Sequence, residues 1–499
     1  MLRKLAIGAA AALAATLLSA PPAEAAPDLA KLVTVKDVRK HLENLQTIAT
    51  YNGGNRASNE PGYDISVKYV VSQLKKAGYT PVVQPFSYQE IVERTPTVLA
   101  QTAPGQATYQ LGSDYTLSSQ TGNGDVNTGV TAVDVPAEGQ VGDAGCEAAD
   151  FAGFPSGNIA LIQRGTCPFE QKTANAEAAG ASAVLFYNRP DEAGLLNPLL
   201  DTKREIPVAF ATRELGQALA KLAQAGGLKL RVRTDLVEIT KNTSNVIAET
   251  KWGRDDNVVV VGAHLDSVHE GAGINDNGSG SAATLAVAQQ IHKLGKANIK
   301  NKVRFAWWGG EEDGLRGSTH YVGNLSEADR AKIALNLNFD MLGSINGIRG
   351  VYDGDFSTGE GSEGPAGSGA IEKVFTDYYA KRKLPTVETE FSGRSDYGPF
   401  IEAGIPAGGL FSGAEGIKTA QEAKLFGGKA GQPYDPCYHA ACDDIKNIDW
   451  KLLDTHADGV AYTTQFFAKS TLVVNGEARK ARKAVAPTLE YRGHDRAVR

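Results

Sequence analysis

Val258-Val-Val-Val261-Gly262-Ala-His264-Leu-Asp266-Ser267 is the stretch whose reading decides the fold. A run of β-branched residues with no polar position inside it describes a strand buried on both faces of a parallel sheet. In open α/β sheets, ligands gather just beyond the carboxyl ends of such strands, and His264 stands there. Two more runs repeat the arrangement. Val303-Arg-Phe-Ala-Trp-Trp308 opens into Gly309-Gly310-Glu311-Glu312-Asp313-Gly314, and Ile333-Ala-Leu-Asn-Leu-Asn-Phe339 leads into Asp340-Met341-Leu342. Between the first two, Gly273-Ile-Asn-Asp276-Asn-Gly-Ser-Gly280 is a turn-rich loop feeding a helix predicted over Ser281 to Leu294. Three strands and a helix start thus deliver imidazole and carboxylate groups to one edge of an α/β sheet.

Each signal is ambiguous alone. An Asp in a Gly-Ser loop is commonly a turn or N-cap residue, and three successive acids are commonly solvated. His439 lies in Tyr434-Asp-Pro-Cys437-Tyr438-His439-Ala-Ala-Cys442-Asp-Asp, where a short disulfide would fix its ring. Together, His264, His439, Asp276, Asp340 and one Glu of the Glu311-Glu312 pair make a ligand set suited to two borderline-hard cations sharing one carboxylate.

Outward from this core, 499 residues imply either about three domains or one large domain carrying an insertion. The net charge of 51 − 57 = −6 disfavours nucleic acid and anionic membrane surfaces as partners. Met1-Leu-Arg-Lys4, the uncharged run Leu5 to Leu18 and Ala23-Glu24-Ala25 read as a secretory signal peptide over 1–25, cleaved near Ala25. The apolar run is shorter than the roughly 20 residues a membrane span needs, so a secreted protein is expected. In an exported chain the four cysteines can form disulfides; of three connectivities, proximity favours Cys146 with Cys167 and Cys437 with Cys442.

Helical spacing of apolar residues covers Val35 to Ile48 and Tyr63 to Ala77, and Thr80 to Tyr88 reads as a strand. From about Thr95 the texture becomes rich in Thr, Gln, Gly and Ser, and it returns to helix-and-strand patterning at about Val237. This predicts an insertion over 96–236 that splits one domain into 26–95 and 237–472. The end, 473–499, reads as a disordered basic tail.

The centre of the insertion resembles the protease-associated domain of secreted exopeptidases. The resemblance rests on Gly145-Cys146, Asn158-Ile-Ala-Leu-Ile-Gln-Arg-Gly165-Thr-Cys167-Pro-Phe and Ala183-Val-Leu-Phe-Tyr-Asn188. No cluster of chemistry-bearing residues stands out within it, so a lid, a substrate-access role or a passive insert is expected. His264-Leu-Asp266, Gly273 to Gly280, Gly310-Glu311-Glu312, Asn338-Phe-Asp340-Met and Tyr438-His439 resemble the motifs of the secreted di-zinc aminopeptidases of metallopeptidase family 28. Phe391-Ser-Gly-Arg394-Ser-Asp396 and Gly404 to Leu410 extend the likeness to the bacterial leucine-aminopeptidase branch.

That resemblance implies a zinc exopeptidase fold, a mixed central sheet flanked by helices. It implies two zinc ions, with His264 and Asp340 on one, Glu312 and His439 on the other, and Asp276 bridging. It makes Asp266 the residue that orients His264, Glu311 the general base for a zinc-activated water, Tyr438 a donor to the oxyanion and Arg394 a substrate contact. An ion pair of Arg394 with Asp396 or Glu402 is the alternative. The implied activity is removal of large apolar, leucine-like N-terminal residues from peptides by a monomer. A carboxypeptidase, a glutaminyl cyclase and a non-catalytic peptide-binding ectodomain are the other readings of such a scaffold. Ala26-Pro27-Asp28-Leu29 is similar to the mature start of secreted members that bind calcium. With Asp454 and Asp458 spaced i,i+4 on one helix face, Asp28 and the Leu29 carbonyl would complete a hard-oxygen site.

Overall fold

The computed structural model describes residues 27–137, 139–192 and 194–476; the expected signal peptide and the tail from 477 onward lie outside the described residues. The strands run β1 Val82–Ala103, β2 Ala107–Tyr109, β3 Tyr115–Leu117, β4 Gly124–Ala132, β5 Ile159–Gln163, β6 Ala183–Tyr187, β7 Val208–Ala211, β8 Lys229–Glu249, β9 Arg254–His264, β10 Asn301–Trp308, β11 Ile333–Asp340, β12 Gly350–Tyr352, β13 Val387–Thr389 and β14 Ala407–Phe411. They join in the order β13-β12-β14-β11-β9-β10-β8-β4-β5-β6-β7-β3.

β9 lies between β10 and β11 and is parallel to both, as its apolar run requires. β14 continues the parallel set beside β11, whereas β8 and β12 pair antiparallel, so the central sheet is mixed. Alternate side chains of β9 enter opposite cores. Val259 and Val261 pack with the helices Val35–Tyr51, Pro61–Lys76, Gly280–Gln290 and Trp450–Lys469. Val258 and Val260 pack with Trp308, Tyr321 and Phe400 on the other face. The helix Val35–Tyr51 is started by Thr34, which forms a reciprocal capping box with Asp37. Helices on both faces leave the carboxyl ends of β9, β10 and β11 open as the place for a site.

The strand predicted over Thr80 to Tyr88 continues much further. β1 pairs antiparallel with β8 from Val82 opposite Ile247 to Ala103 opposite Lys229, with register shifts around Pro96, which has no N–H to give to the ladder. β8 bonds to β10 at one end and to β4 at the other. The compositional changes at 95/96 and 236/237 therefore fall inside continuous strands. Within this ribbon β1 is half-exposed along much of its length, so it lacks the apolar alternation by which strands are read, whereas β8 buries alternate residues such as Leu230, Val232 and Leu236. Beyond it, β4, β5, β6 and β7 form a parallel set edged by β3, with helices Phe169–Ala178 and Arg213–Ala225. The predicted strand-helix-strand at 158–188 appears as β5, the helix Phe169–Ala178 and β6. Both disulfides follow the proximity pairing, Cys146 with Cys167 and Cys437 with Cys442.

Candidate metal centre and active-site cleft

The three strand ends and the 437–442 loop converge. Nε2 of His264 lies 3.2 Å from Oδ1 of Asp276 and 3.2 Å from Oδ1 of Asp340. Nε2 of His439 lies 3.2 Å from Oδ2 of Asp276 and 3.2 Å from Oε2 of Glu312. The two oxygens of Asp276 thus face different imidazoles, and each imidazole nitrogen faces two carboxylates. One N–H cannot serve two acceptors well, but a shared cation can. Zinc binds N and O at about 2.0–2.1 Å, so neighbouring ligands of a tetrahedral ion stand about 3.3 Å apart. The spacings here fit that, twice in each triad.

The electrostatics point the same way. His264, Asp266, Asp276, Glu311, Glu312 and Asp340 are all buried, which concentrates carboxylates where charge is costly. Burial pushes Glu311 well above the usual carboxylate range, with Glu312 and Asp340 adding to it, and burial and Asp276 raise Glu312. Burial opposes the charge on His439, but Glu312 and Asp276 hold it up at about 10. A cluster with this excess of negative charge is relieved by cations.

Neighbouring contacts fix the ligands. The Asp266 carboxylate, expected to orient His264, stands 3.7 Å from Nδ1 and favours the imidazole's charged form, while the Asp266 backbone carbonyl is nearer at 3.2 Å. The carboxylate also accepts the N–H groups of Glu311 and Glu312, each at 3.2 Å, which secures the loop carrying both acids. Asp313, the third acid of that loop, is buried against Lys241 at 3.0 Å and Tyr88 on the β1/β8 ribbon. Ser395 donates to Oδ2 of Asp340 at 2.6 Å and receives from Asn338 at 2.8 Å. Asp443 accepts the N–H groups of Asn275 at 2.8 Å and Asp276 at 2.9 Å. Asp435 takes the Asn275 amide at 2.6 Å and the Cys437 N–H at 2.9 Å. The disulfide loop bearing His439 is therefore gripped on both sides by acids that also hold the Asp276 loop.

A cleft of about 240 Å³ opens beside these groups. Met341, Tyr352, Tyr397 and Phe411 give it an apolar wall, and Glu390, Arg394, Glu415 and Tyr438 also line it. The Tyr438 ring stacks on His439 with centroids 3.8 Å apart, and its hydroxyl accepts from Nη2 of Arg394 at 3.3 Å. Arg394 pairs with Glu415 at 2.6 Å, and not with Asp396 or Glu402 as the alternative reading held. Local geometry explains the choice, because Asp396 is fully buried behind the strand ends while Arg394 faces the cleft.

The expected calcium residues lie on the helix Trp450–Lys469 and at the start of the described chain. Gln465 of the helix Trp450–Lys469 accepts the Leu29 N–H at 2.7 Å and donates to the Pro27 carbonyl at 2.9 Å, docking the start of the described chain on that helix. Burial and Asp454, with a further push from Asp28, raise Asp458 to about 6. The oxygens of Asp28, Asp454 and Asp458 do not converge as the histidine and carboxylate ligands do, and the Leu29 carbonyl already accepts the Val33 N–H at 3.0 Å.

Sequence reasoning missed Arg56, Ser395, Asp435 and Asp443. The last three sit inside motifs quoted above, so their proximity to ligands was the available signal. Arg56 gave none.

Comparison with known proteins agrees with this geometry. The model of peptidase family M28 matches residues 245–464, and the PA domain model matches 130–219. An aminopeptidase of Pseudomonas aeruginosa is 48% identical, covering 93% of this chain and 86% of its own. A probable leucine aminopeptidase 2 of Aspergillus fumigatus is 39% identical, covering 89% and 85%. Among solved structures, the aminopeptidase from Aneurinibacillus sp. strain AM-1 superposes with a TM-score of 0.64 at 26% identity, over 89% of this chain and 95% of that one. Its ligand geometry, its cleft and these relatives lead to one conclusion: the chain belongs to peptidase family M28 and is a metallo-aminopeptidase with a PA domain inserted in it.

Proposed function

We propose that this aminopeptidase is a secreted di-zinc enzyme that removes large apolar, leucine-like residues from peptide N-termini. The observation that carries the reading is the double-facing carboxylate of Asp276, each oxygen 3.2 Å from a different imidazole. His264, Asp276 and Asp340 would hold one zinc, and Asp276, Glu312 and His439 the other. When bound, zinc supplies Lewis acidity for the scissile carbonyl and lowers the pKa of water.

The protein groups do the rest. Glu311, adjacent in sequence to a ligand but not needed as one, lines the cleft and takes the proton of the attacking water before passing it to the leaving amine. Tyr438, kept protonated by burial and neighbouring acids, donates its hydroxyl to the oxyanion that forms at the carbonyl. Arg394, braced by Glu415, directs Tyr438 and contacts the peptide backbone. The wall of Met341, Tyr352, Tyr397 and Phe411 receives an apolar first side chain.

The test is bound-metal analysis of the purified protein together with cleavage of leucine p-nitroanilide and of a substrate with a free carboxyl terminus only. Two zinc ions per chain and cleavage of the first substrate alone are expected. Absence of bound zinc, or a preference for the carboxyl-terminal substrate, would overturn the reading.

A further inference from the structure

Arg56 lies between the helices Val35–Tyr51 and Pro61–Lys76, more than two hundred residues before the metal-site loops, and is fully buried. Its guanidinium sits inside the loop that joins β9 to the helix Gly280–Gln290. It donates to the Leu265 carbonyl through Nη1, to the Ala272 carbonyl at 2.9 Å through Nε, and to the Gly273 carbonyl at 2.6 Å through Nη2. Its backbone joins the same loop: the Arg56 N–H donates to Ser267 Oγ at 2.9 Å, and the Ser267 N–H donates back to the Arg56 carbonyl at 3.3 Å. Inward-pointing carbonyls around a positive centre are what a loop offers to a bound cation. Here the cation is a side chain, and its planar fork holds several carbonyls at fixed angles.

The loop it fills is the one the site depends on. Leu265 is flanked by His264 and Asp266, and Gly273 is three residues before Asp276. Gly273 has φ 59°, and a Cβ there would lie 2.3 Å from the Asp276 carbonyl and 2.4 Å from Ser267 Cβ, so the turn is wound tightly against Asp276. The charge also faces the acids: Asp266, Asp443, Asp276 and Glu312 all act on the guanidinium electrostatically.

We infer that Arg56 is a positioning residue for the metal centre, shaping the 265–273 loop so that Asp266 holds the Glu311–Glu312 loop and the bridging Asp276 stands where two cations can share it. The inference rests on the two-metal reading above. It is a role for the N-terminal helix pair, which otherwise has no ligand in the site.

The experiment compares wild type, Arg56→Lys and Arg56→Ala by zinc retention against a chelator, by kcat and KM for leucine p-nitroanilide, and by amide hydrogen exchange at 265–276 in the metal-free protein. Outer contacts of this kind typically change metal affinity or activity by about 10–100-fold. Arg56→Lys keeps the charge without the fork. It is expected to lose zinc at a chelator concentration about 10-fold lower, to lose kcat with KM nearly unchanged, and to exchange the loop amides faster. Arg56→Ala should lose more, and millimolar guanidinium should restore part of its kcat. A folded Arg56→Lys with wild-type zinc retention, kcat and loop exchange would overturn the assignment, as would losses that follow only the unfolded fraction. Should Arg56→Ala fail to fold, Arg56→Lys decides alone. Should wild type bind no zinc, the two-metal reading fails, while loop exchange still reports whether Arg56 shapes the loop.

Discussion

The carboxylate of Asp443 accepts the backbone N–H of Asp276 at 2.9 Å, so the residue that faces both imidazoles is aimed from the far side of the disulfide loop. Asp443→Asn would turn an amide nitrogen toward one of two N–H donors and leave a buried mismatch. We expect about a 10–100-fold fall in zinc retention with the fold intact, checked by chelator titration alongside near-UV circular dichroism.

On the proposed mechanism Glu311 and its neighbour divide their labour. Glu311→Ala should reduce kcat by about 10²–10⁴-fold while zinc content stays normal, whereas Glu312→Ala should lose one zinc. Metal analysis and steady-state kinetics on both variants check this, and near-full activity of Glu311→Ala would remove it as the base.

The two disulfides should separate stability from chemistry. Cys437–Cys442 brackets Tyr438 and His439, so Cys442→Ser should lower zinc retention and activity. Cys146–Cys167 closes a loop of 21 residues in the insert, worth about 3 kcal/mol in the chain-entropy model. Cys146→Ser should therefore lower the melting temperature and leave zinc retention alone. Equal effects on zinc would contradict the division.

Buried histidines outside the site set an acid limit. Burial lowers both His41 and His456 from 6.5 to about 4. The unfolded chain takes up protons below pH 6.5 that the folded chain refuses, so their contribution is present above that pH and is lost as pH falls toward 4. Each is worth at most about 3 kcal/mol at pH 4. Replacing His456, which bonds the Leu342 carbonyl at 2.8 Å, by Asn should shrink the difference in melting temperature between pH 7 and pH 5 relative to wild type.

Calcium is tested at the docked start of the chain. If Asp28, the Leu29 carbonyl, Asp454 and Asp458 bind it, millimolar calcium should raise the melting temperature of the zinc-loaded protein. The double variant Asp454→Asn, Asp458→Asn should lose that rise, and an equal shift in both proteins would remove the site.

Much of the candidate metal site was legible because its residues sit at the end of a contiguous apolar strand or inside a turn motif: His264, Asp276, the Glu311–Glu312 pair, Asp340 and His439 are marked by their own neighbours. What was not legible depends on long-range packing. Nothing near Arg56 in sequence points to a loop at 265–273. Asp266 lies beside His264 in sequence, and nothing there shows that its carboxylate also holds two N–H groups on another strand's loop. Arg394 had three acids within reach by sequence or topology, and burial of Asp396 left Glu415 as its partner. In the β1/β8 ribbon, the course of β1 beyond Tyr88 was not legible because a strand half-exposed on both faces carries no hydrophobic period.

That ribbon bears on how the molecule comes apart. The PA domain is joined to the catalytic sheet by two long antiparallel strands and not by flexible tethers, and Lys241 on β8 pairs with Asp313 beside the Glu311–Glu312 pair. Melting the insert strips hydrogen-bond partners from strands that also edge the catalytic sheet, and melting that sheet does the same to the insert. The two lobes are thus coupled into a single cooperative unfolding unit, and a protease that nicks the ribbon should destabilise both together.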